Sequence, residues 1–148
     1  IFNNWKNIGD IAKDLEKQGF IVKDIIRWIK NNPMPRNIER RYVNDCELAI
    51  WVVKEGSPWT FNRSKLDPYF RPEFKTGVGI ANRIHTTQKN LTLIEKIIEI
   101  HTKEGDTIFD PFLGSGTTAV AALNYKRKIV GSEIDEKYYK KAIERIKQ

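Results

Sequence analysis

The chain has 148 residues, 26 of them Lys or Arg and 19 Asp or Glu, giving a net charge of +7, and its 40% apolar content includes 7 Phe, 5 Tyr and 4 Trp. That length suits one domain, this composition can build a core, and no run reaches the roughly 18 apolar residues of a membrane span, so global disorder and a membrane-spanning helix are excluded. A single cysteine, Cys46, excludes an internal disulfide framework, and the basic surplus favours an anionic partner, most often nucleic acid.

The chain opens Ile1-Phe2 with no initiator Met and no signal-peptide pattern, and it reads as the interior of a longer protein. Trp5, Ile8, Ile11, Ala12 and Leu15 fall at helical spacing, and Gly19 follows as a stop. Residues 20–29 read as a strand, bulged at Lys23-Asp24. Pro33 and Pro35 remove backbone donors and bias their predecessors to extended shapes, so residues 31–37 form a loop. Residues 48–53 make a second apolar strand. Between residues 56 and 84 the periodicity fails, and Trp59, Phe61, Tyr69, Phe70 and Phe74 mix with Arg63, Lys65, Arg71, Lys75 and Arg83. This stretch reads as an inserted, irregular surface region.

Leu91, Ile94, Ile97, Ile98 and His101 then form an amphipathic helical stripe. Residues 107–109 are a short strand ending at Asp110, a glycine-rich turn follows, and residues 118–123 are a helix of small side chains. Residues 128–131 are the next strand, leading to Glu133. Asp135 caps a last helix with Tyr138, Tyr139, Ala142, Ile143 and Ile146 at helical spacing. Strand–helix–strand–helix with short links means a parallel α/β sheet.

The glycine turn carries the chemistry. Within Asp110-Pro111-Phe112-Leu113-Gly114-Ser115-Gly116-Thr117-Thr118-Ala119, the pattern Gly114-x-Gly116-x-x-Ala119 has nucleotide-loop spacing, and Glu133 follows Gly114 by 19 positions. Glycines let the backbone approach a ligand, free N–H groups at the helix start suit an anionic group, and a carboxylate about 20 residues on suits ribose hydroxyls. No Lys follows the second glycine, so a P-loop is excluded. A dinucleotide site stays open, and a purely structural turn is the bland alternative.

The same stretch resembles the cofactor loop of β-class DNA amino-methyltransferases, D-P-F-x-G-S-G-T-T. His85-Thr86-Thr87-Gln88-Lys89 resembles that family's H-x-T-Q-K element, and Asn31-Asn32-Pro33-Met34-Pro35-Arg36 and Asn44-Asp45-Cys46-Glu47 are similar to further family segments. The likeness covers nearly the whole chain and is strongest to adenine-N6 methyltransferases of bacterial restriction–modification systems. Its order, with an irregular region before the cofactor loop, fits the β class.

The resemblance implies a Rossmann-like α/β fold that depends on S-adenosylmethionine, with a mostly parallel sheet, an antiparallel strand and an inserted irregular recognition region. Residues 1–148 would then be a single, N-terminally incomplete methyltransferase domain, with target recognition at 56–84. Asp110, Phe112, Gly114, Ser115, Gly116 and Thr117 are implied to surround the cofactor, Glu133 to take its ribose hydroxyls, and His85, Thr87, Gln88 and Lys89 to line the other side. The implied partners are double-stranded DNA and a second copy in a homodimer. The implied setting is the bacterial cytoplasm, at the nucleoid. The same fold acting on cytosine N4 is one alternative, and a non-catalytic nucleotide- or DNA-binding module is the other.

Amino methylation needs a base held out of the stack, with its ring on an aromatic wall and its NH₂ hydrogen-bonded. The family uses D/N/S-P-P-Y/F for this, and the sequence has no Pro-Pro pair. Asp67-Pro68-Tyr69-Phe70 follows no apolar strand, Asn31-Asn32-Pro33-Met34 lacks an aromatic, and Asp110-Pro111-Phe112 already belongs to the cofactor loop. The catalytic strand is therefore expected before Ile1, in cis or on a separate chain, and these 148 residues alone are expected to be inactive.

From Arg27 to Arg41, five basic residues (Arg27, Lys30, Arg36, Arg40, Arg41) stand against Glu39 alone; from 56 to 89, six stand against Asp67 and Glu73. Basic loops with interleaved aromatics suit phosphate contacts together with base contacts or wedges. Arg36, Arg40, Arg41, Trp59, Arg63 and Arg71 are the candidate DNA-binding residues. Trp28, Trp51, Cys46 and His101 are expected to be packed structure, and the separation of His85 from His101 speaks against a local metal motif.

Overall fold

The computed structural model describes residues 1–35, 37, 39–63, 71–77 and 88–147, which fall into two units. In the first, Asn4 caps helix α1 (Trp5–Lys17) by accepting from the Lys6 N–H at 3.0 Å, and Gly19, left-handed at φ 75°, ends it. The apolar stripe of α1 turns inward only in part: Ile8 is buried, Ile11, Ala12 and Leu15 are half-buried, and Trp5 is exposed. Strands β1 (Phe2–Asn3), β2 (Phe20–Lys30), β3 (Cys46–Lys54) and β4 (Glu73–Thr76) form a sheet in the order β1-β3-β2-β4.

β2 and β3 pair antiparallel, from Phe20 opposite Lys54 to Ile29 opposite Cys46, with a register shift between Val22 and Asp24 at the expected bulge. Beyond the bulge, the strand period of two places Ile26 and Trp28 on one face, and both are buried. The Trp28 indole N–H donates to Thr76 Oγ1 at 2.7 Å, which satisfies its one polar group in a site only 2% exposed. Trp51 is half-buried, its ring edge-on to Trp59. Cys46 is half-buried rather than buried; desolvation above all pushes its thiol up, which keeps the reactive thiolate scarce.

The stretch from 56 to 84 is not irregular throughout. β4 lies within it and pairs parallel to β2, with Trp28 opposite Phe74. Four residues with one buried side chain, Phe74, are too few for the pattern of the sequence alone to show a strand. Residues 64–70 and 78–84 of that stretch lie outside the described residues.

In the second unit, β5 (Thr107–Asp110) and β6 (Lys128–Gly131) pair parallel, Ile108 opposite Ile129, with helix α3 (Thr117–Asn124) in the crossover between them. Asn90 caps α2 (Leu91–His101) by accepting from the Leu93 N–H at 3.2 Å. Asp135 caps α4 (Glu136–Ile146) by accepting from the Tyr138 N–H at 3.0 Å. Leu93, Ile94, Ile98 and Ile100 of α2 are buried, as are Ala119, Ala121 and Ala122 of α3, whose small side chains let neighbouring elements approach closely. Leu113, Ala119 and Ala142 form a cluster against which Ile129 and Ile146 pack.

The carbonyls that end α2 are satisfied by Asn62, whose side chain donates to Glu99 and Thr102 at 2.7 and 2.9 Å. His101 is half-buried, its ring tilted against Phe61 at 5.7 Å, and burial lowers its pKa, so it is neutral at pH 7 and part of the packing. The α/β class stands. The directions are more evenly divided than a mostly parallel sheet: of the described strand pairings, two are antiparallel and two parallel.

Candidate functional site

Asp110 turns the chain at the end of β5. Its Oδ1 accepts from the Phe112 N–H at 3.1 Å, a local bond that competes with continuing the strand. Gly114 and Gly116 follow with φ of 55° and 77°, a region that costs any other residue steric strain. Their surroundings differ. A Cβ on Gly116 would lie 3.1 Å from the Ala142 Cβ, whereas a Cβ on Gly114 would meet only the Phe112 carbonyl, at 3.8 Å. Gly116 is therefore demanded by packing against α4 as well as by φ, and Gly114 leaves open space. Gly116 is also the N-cap of α3 and offers no side chain to its first N–H groups.

Glu133 reaches back to this turn. Its Oε2 accepts from the Gly114 N–H at 2.7 Å and its Oε1 from the Asp135 N–H at 2.9 Å. One carboxylate thus ties the loop after β5 to the loop after β6, and each oxygen keeps lone-pair capacity for a hydroxyl donor. The two loops are joined further by the Leu113 N–H donating to the Ser132 carbonyl at 2.8 Å and by Ser132 Oγ donating to the Pro111 carbonyl at 2.9 Å.

A cavity of about 250 Å³ opens over the turn. Of the residues expected there, Asp110, Phe112, Gly114, Ser115, Thr117, Glu133, Gln88 and Lys89 line it. Gly116 does not; it is buried beneath, against Ala142. His85 and Thr87 lie outside the described residues. Phe112, 87% exposed, presents an apolar ring at the edge. A carboxylate, a glycine-opened backbone and an aromatic ring at the carboxyl end of parallel strands suit a nucleoside-like ligand.

Leu113 and Thr118 also line the cavity, and Arg145, which does not, supports it from behind; sequence reasoning missed all three. Arg145 Nη1 donates to the Ser115 carbonyl at 3.2 Å and to Thr117 Oγ1 at 3.0 Å. The only sequence signal was its place one helical turn after Ala142. Among the described residues no group of His, Cys, Asp and Glu could hold a metal ion, and no helix is long and apolar enough to cross a membrane.

The basic segments separate into two kinds. Arg27 pairs with Glu73 at 3.2 Å and Lys30 with Glu47 at 2.7 Å, so these cations neutralise carboxylates on neighbouring strands. Arg40 and Arg41 are exposed in the β2–β3 connection, where their N–H groups donate to the carbonyl of Asn37, left-handed at φ 51°. Tyr42 beside them is 98% exposed. Arg36 lies outside the described residues, and Arg63 and Arg71 are exposed. Trp59 is half-exposed; besides its contact with Trp51 it holds the Lys23 ammonium 5.0 Å from its ring centre, a structural role.

Comparison with known proteins identifies the family and the fold. A model of the N6/N4 type, described as DNA methylase, matches residues 1–144. The Type II methyltransferase M2.DpnII of Streptococcus pneumoniae is 32% identical over 158 aligned positions, covering 99% of this chain and 59% of that protein. The crystal structure of the M1.HpyAVI–SAM complex superposes with a TM-score of 0.90 at 48% identity, over all of this chain and 73% of that one. The cytosine-N4-specific PvuII DNA methyltransferase, 19% identical, shares the fold with a TM-score of 0.81 over 95% of this chain and 56% of its own. The chain spans less than two thirds of the length of the curated relatives it matches.

Proposed function

Because the chain belongs to the DNA methylase family, we propose that it is the cofactor-binding and DNA-contacting portion of a site-specific methyltransferase acting on adenine N6 in double-stranded DNA, within a restriction–modification system. The observation that carries this reading is the Glu133 carboxylate set against the glycine turn in one cavity. S-adenosylmethionine fits that donor set, and when bound it supplies the methyl group that the target amino nitrogen takes. Glu133 accepts the ribose hydroxyls, Gly114 lets the backbone come close, and Phe112 covers apolar surface. Asp110, Ser115 and Thr117 shape the wall, with Gly116 beneath; Gln88 and Lys89, with His85 and Thr87 beside them in sequence, close the other side. The chain's part in the reaction is positioning and a fixed electrostatic environment rather than covalent chemistry.

The Pro-Pro element that would hold the flipped base is not in these residues. A preceding segment, in cis or as a separate chain, would supply it. The exposure of Phe109 (67%) and Val130 (55%), paired across β5 and β6, supports a further element on that face. Residues 56–84 carry target recognition in this reading, the active assembly includes a homodimer, and the protein works in the bacterial cytoplasm at the nucleoid.

The test is radiolabelled methyl transfer into duplex DNA by the full-length protein, followed by nucleoside analysis. N6-methyladenine is the expected product. N4-methylcytosine would move the reading to the other amino base, and cofactor binding without transfer would leave a binding module. A second expectation concerns Arg36, Arg40 and Arg41. Replacing them with Ala weakens binding to all DNA sequences alike and flattens the salt dependence by about 0.9 log unit per lost phosphate contact. An unchanged slope in a salt titration would make these arginines solvated surface only.

A further inference from the structure

The structure assigns Arg145 as a positioning residue: acting through Ser115 and Thr117, it holds the glycine turn in the shape that receives the cofactor. This rests on the cofactor reading above. The turn has two left-handed glycines, Gly114 and Gly116, and glycine gives a free backbone more conformations than any other residue. Something must remove that freedom before a ligand arrives, or binding bears the ordering cost. Ser115 and Thr117 flank Gly116 and are 4% and 6% exposed, so their polar groups need partners inside the protein. Arg145 supplies one partner to each from a single nitrogen, at 3.2 Å to the Ser115 backbone carbonyl and 3.0 Å to the Thr117 hydroxyl oxygen.

The placement is specific. Ala142, one turn earlier on α4, meets the spot where a Gly116 side chain would be, so α4 offers the turn a small residue and then a cation. The last turn of α4 suits a cation, but the guanidinium also meets the first turn of α3, whose dipole opposes one, and burial pulls the Arg145 pKa below its usual value. A merely solvating arginine would avoid both penalties. The two hydrogen bonds to the turn offset them. Since Arg145 does not line the cavity, its effect falls on the affinity of a preformed site and not on the methyl-transfer step itself.

The experiment uses the full-length protein and S-adenosylmethionine itself. Arg145→Met weakens cofactor binding by about tenfold or more in calorimetry, while kcat at saturating cofactor stays within about twofold of the parent. Arg145→Lys, which keeps a donor but not the fork, recovers part of the loss. In a Thr117→Val background the Arg145→Met loss shrinks, because one of its two partners is already gone. Should Arg145→Met fail to fold, Arg145→Lys and Thr117→Val, singly and together, complete the same cycle. Equal affinity in folded Arg145→Met, or a melting-temperature drop with affinity unchanged, overturns the assignment. A parent protein that binds no S-adenosylmethionine overturns the cofactor reading beneath it.

Discussion

Glu133→Ala lowers the affinity for S-adenosylmethionine by about ten- to a hundredfold in titration calorimetry. A charged acceptor for hydroxyl groups contributes about 1.5–3 kcal/mol, and each 1.4 kcal/mol is a factor of ten in affinity. The structure adds a second component. Glu133 also accepts from the Gly114 and Asp135 N–H groups, so its loss releases the turn from the β6 loop and leaves two backbone donors to water. Glu133→Gln separates the components only in part, because its NH₂ would face one of those N–H groups. Affinity unchanged in Glu133→Ala, measured on protein shown to be folded, would remove Glu133 from the cofactor site.

Gly116→Ala destabilises the protein by about twice as much as Gly114→Ala. Both variants bear the left-handed backbone term of about 1–2 kcal/mol for a residue with a Cβ. Only Gly116→Ala also drives a methyl group to 3.1 Å from the Ala142 Cβ and 3.2 Å from its Cα, an overpacking that adds about 1–3 kcal/mol. Thermal and urea unfolding read the difference. Ala142→Gly removes the 3.1 Å contact but leaves the Cα at 3.2 Å and the φ term, so the double variant shows a favourable coupling smaller than the whole overpacking cost. The pattern in binding is reversed: the Gly114→Ala methyl stands beside the cavity, so its main effect is on cofactor affinity. Equal losses of stability in the two glycine variants would show that α4 does not hold the turn closed.

Much of the architecture was legible because its signals are local. The stripe from Leu91 to His101, the strand before Asp110, the N-cap Asp135 and the bulge near Lys23 all appear where short-range pattern places them. β4 was hidden because four residues with one inward side chain carry no period. The even split of directions among the described strands was hidden because pairing joins distant segments: β2 meets β3 antiparallel and β4 in parallel, and nothing local to β2 encodes that choice.

By itself the sequence determined the glycine turn and its carboxylate, since left-handed backbone needs glycine and a strand-end acidic residue needs only the right spacing. It also determined the excess of positive charge and the absence of a Pro-Pro pair. Tertiary structure decided where those charges stand. Arg27 and Lys30 are committed to Glu73 and Glu47 across strands, while Arg40 and Arg41 stand exposed on a turn around Asn37. It also decided that Gly116 packs while Gly114 opens, and that Arg145 braces the turn from 30 residues beyond Ser115. Those facts depend on which side chains meet across elements far apart in the chain, and a pattern read along one segment holds no record of its neighbours in space.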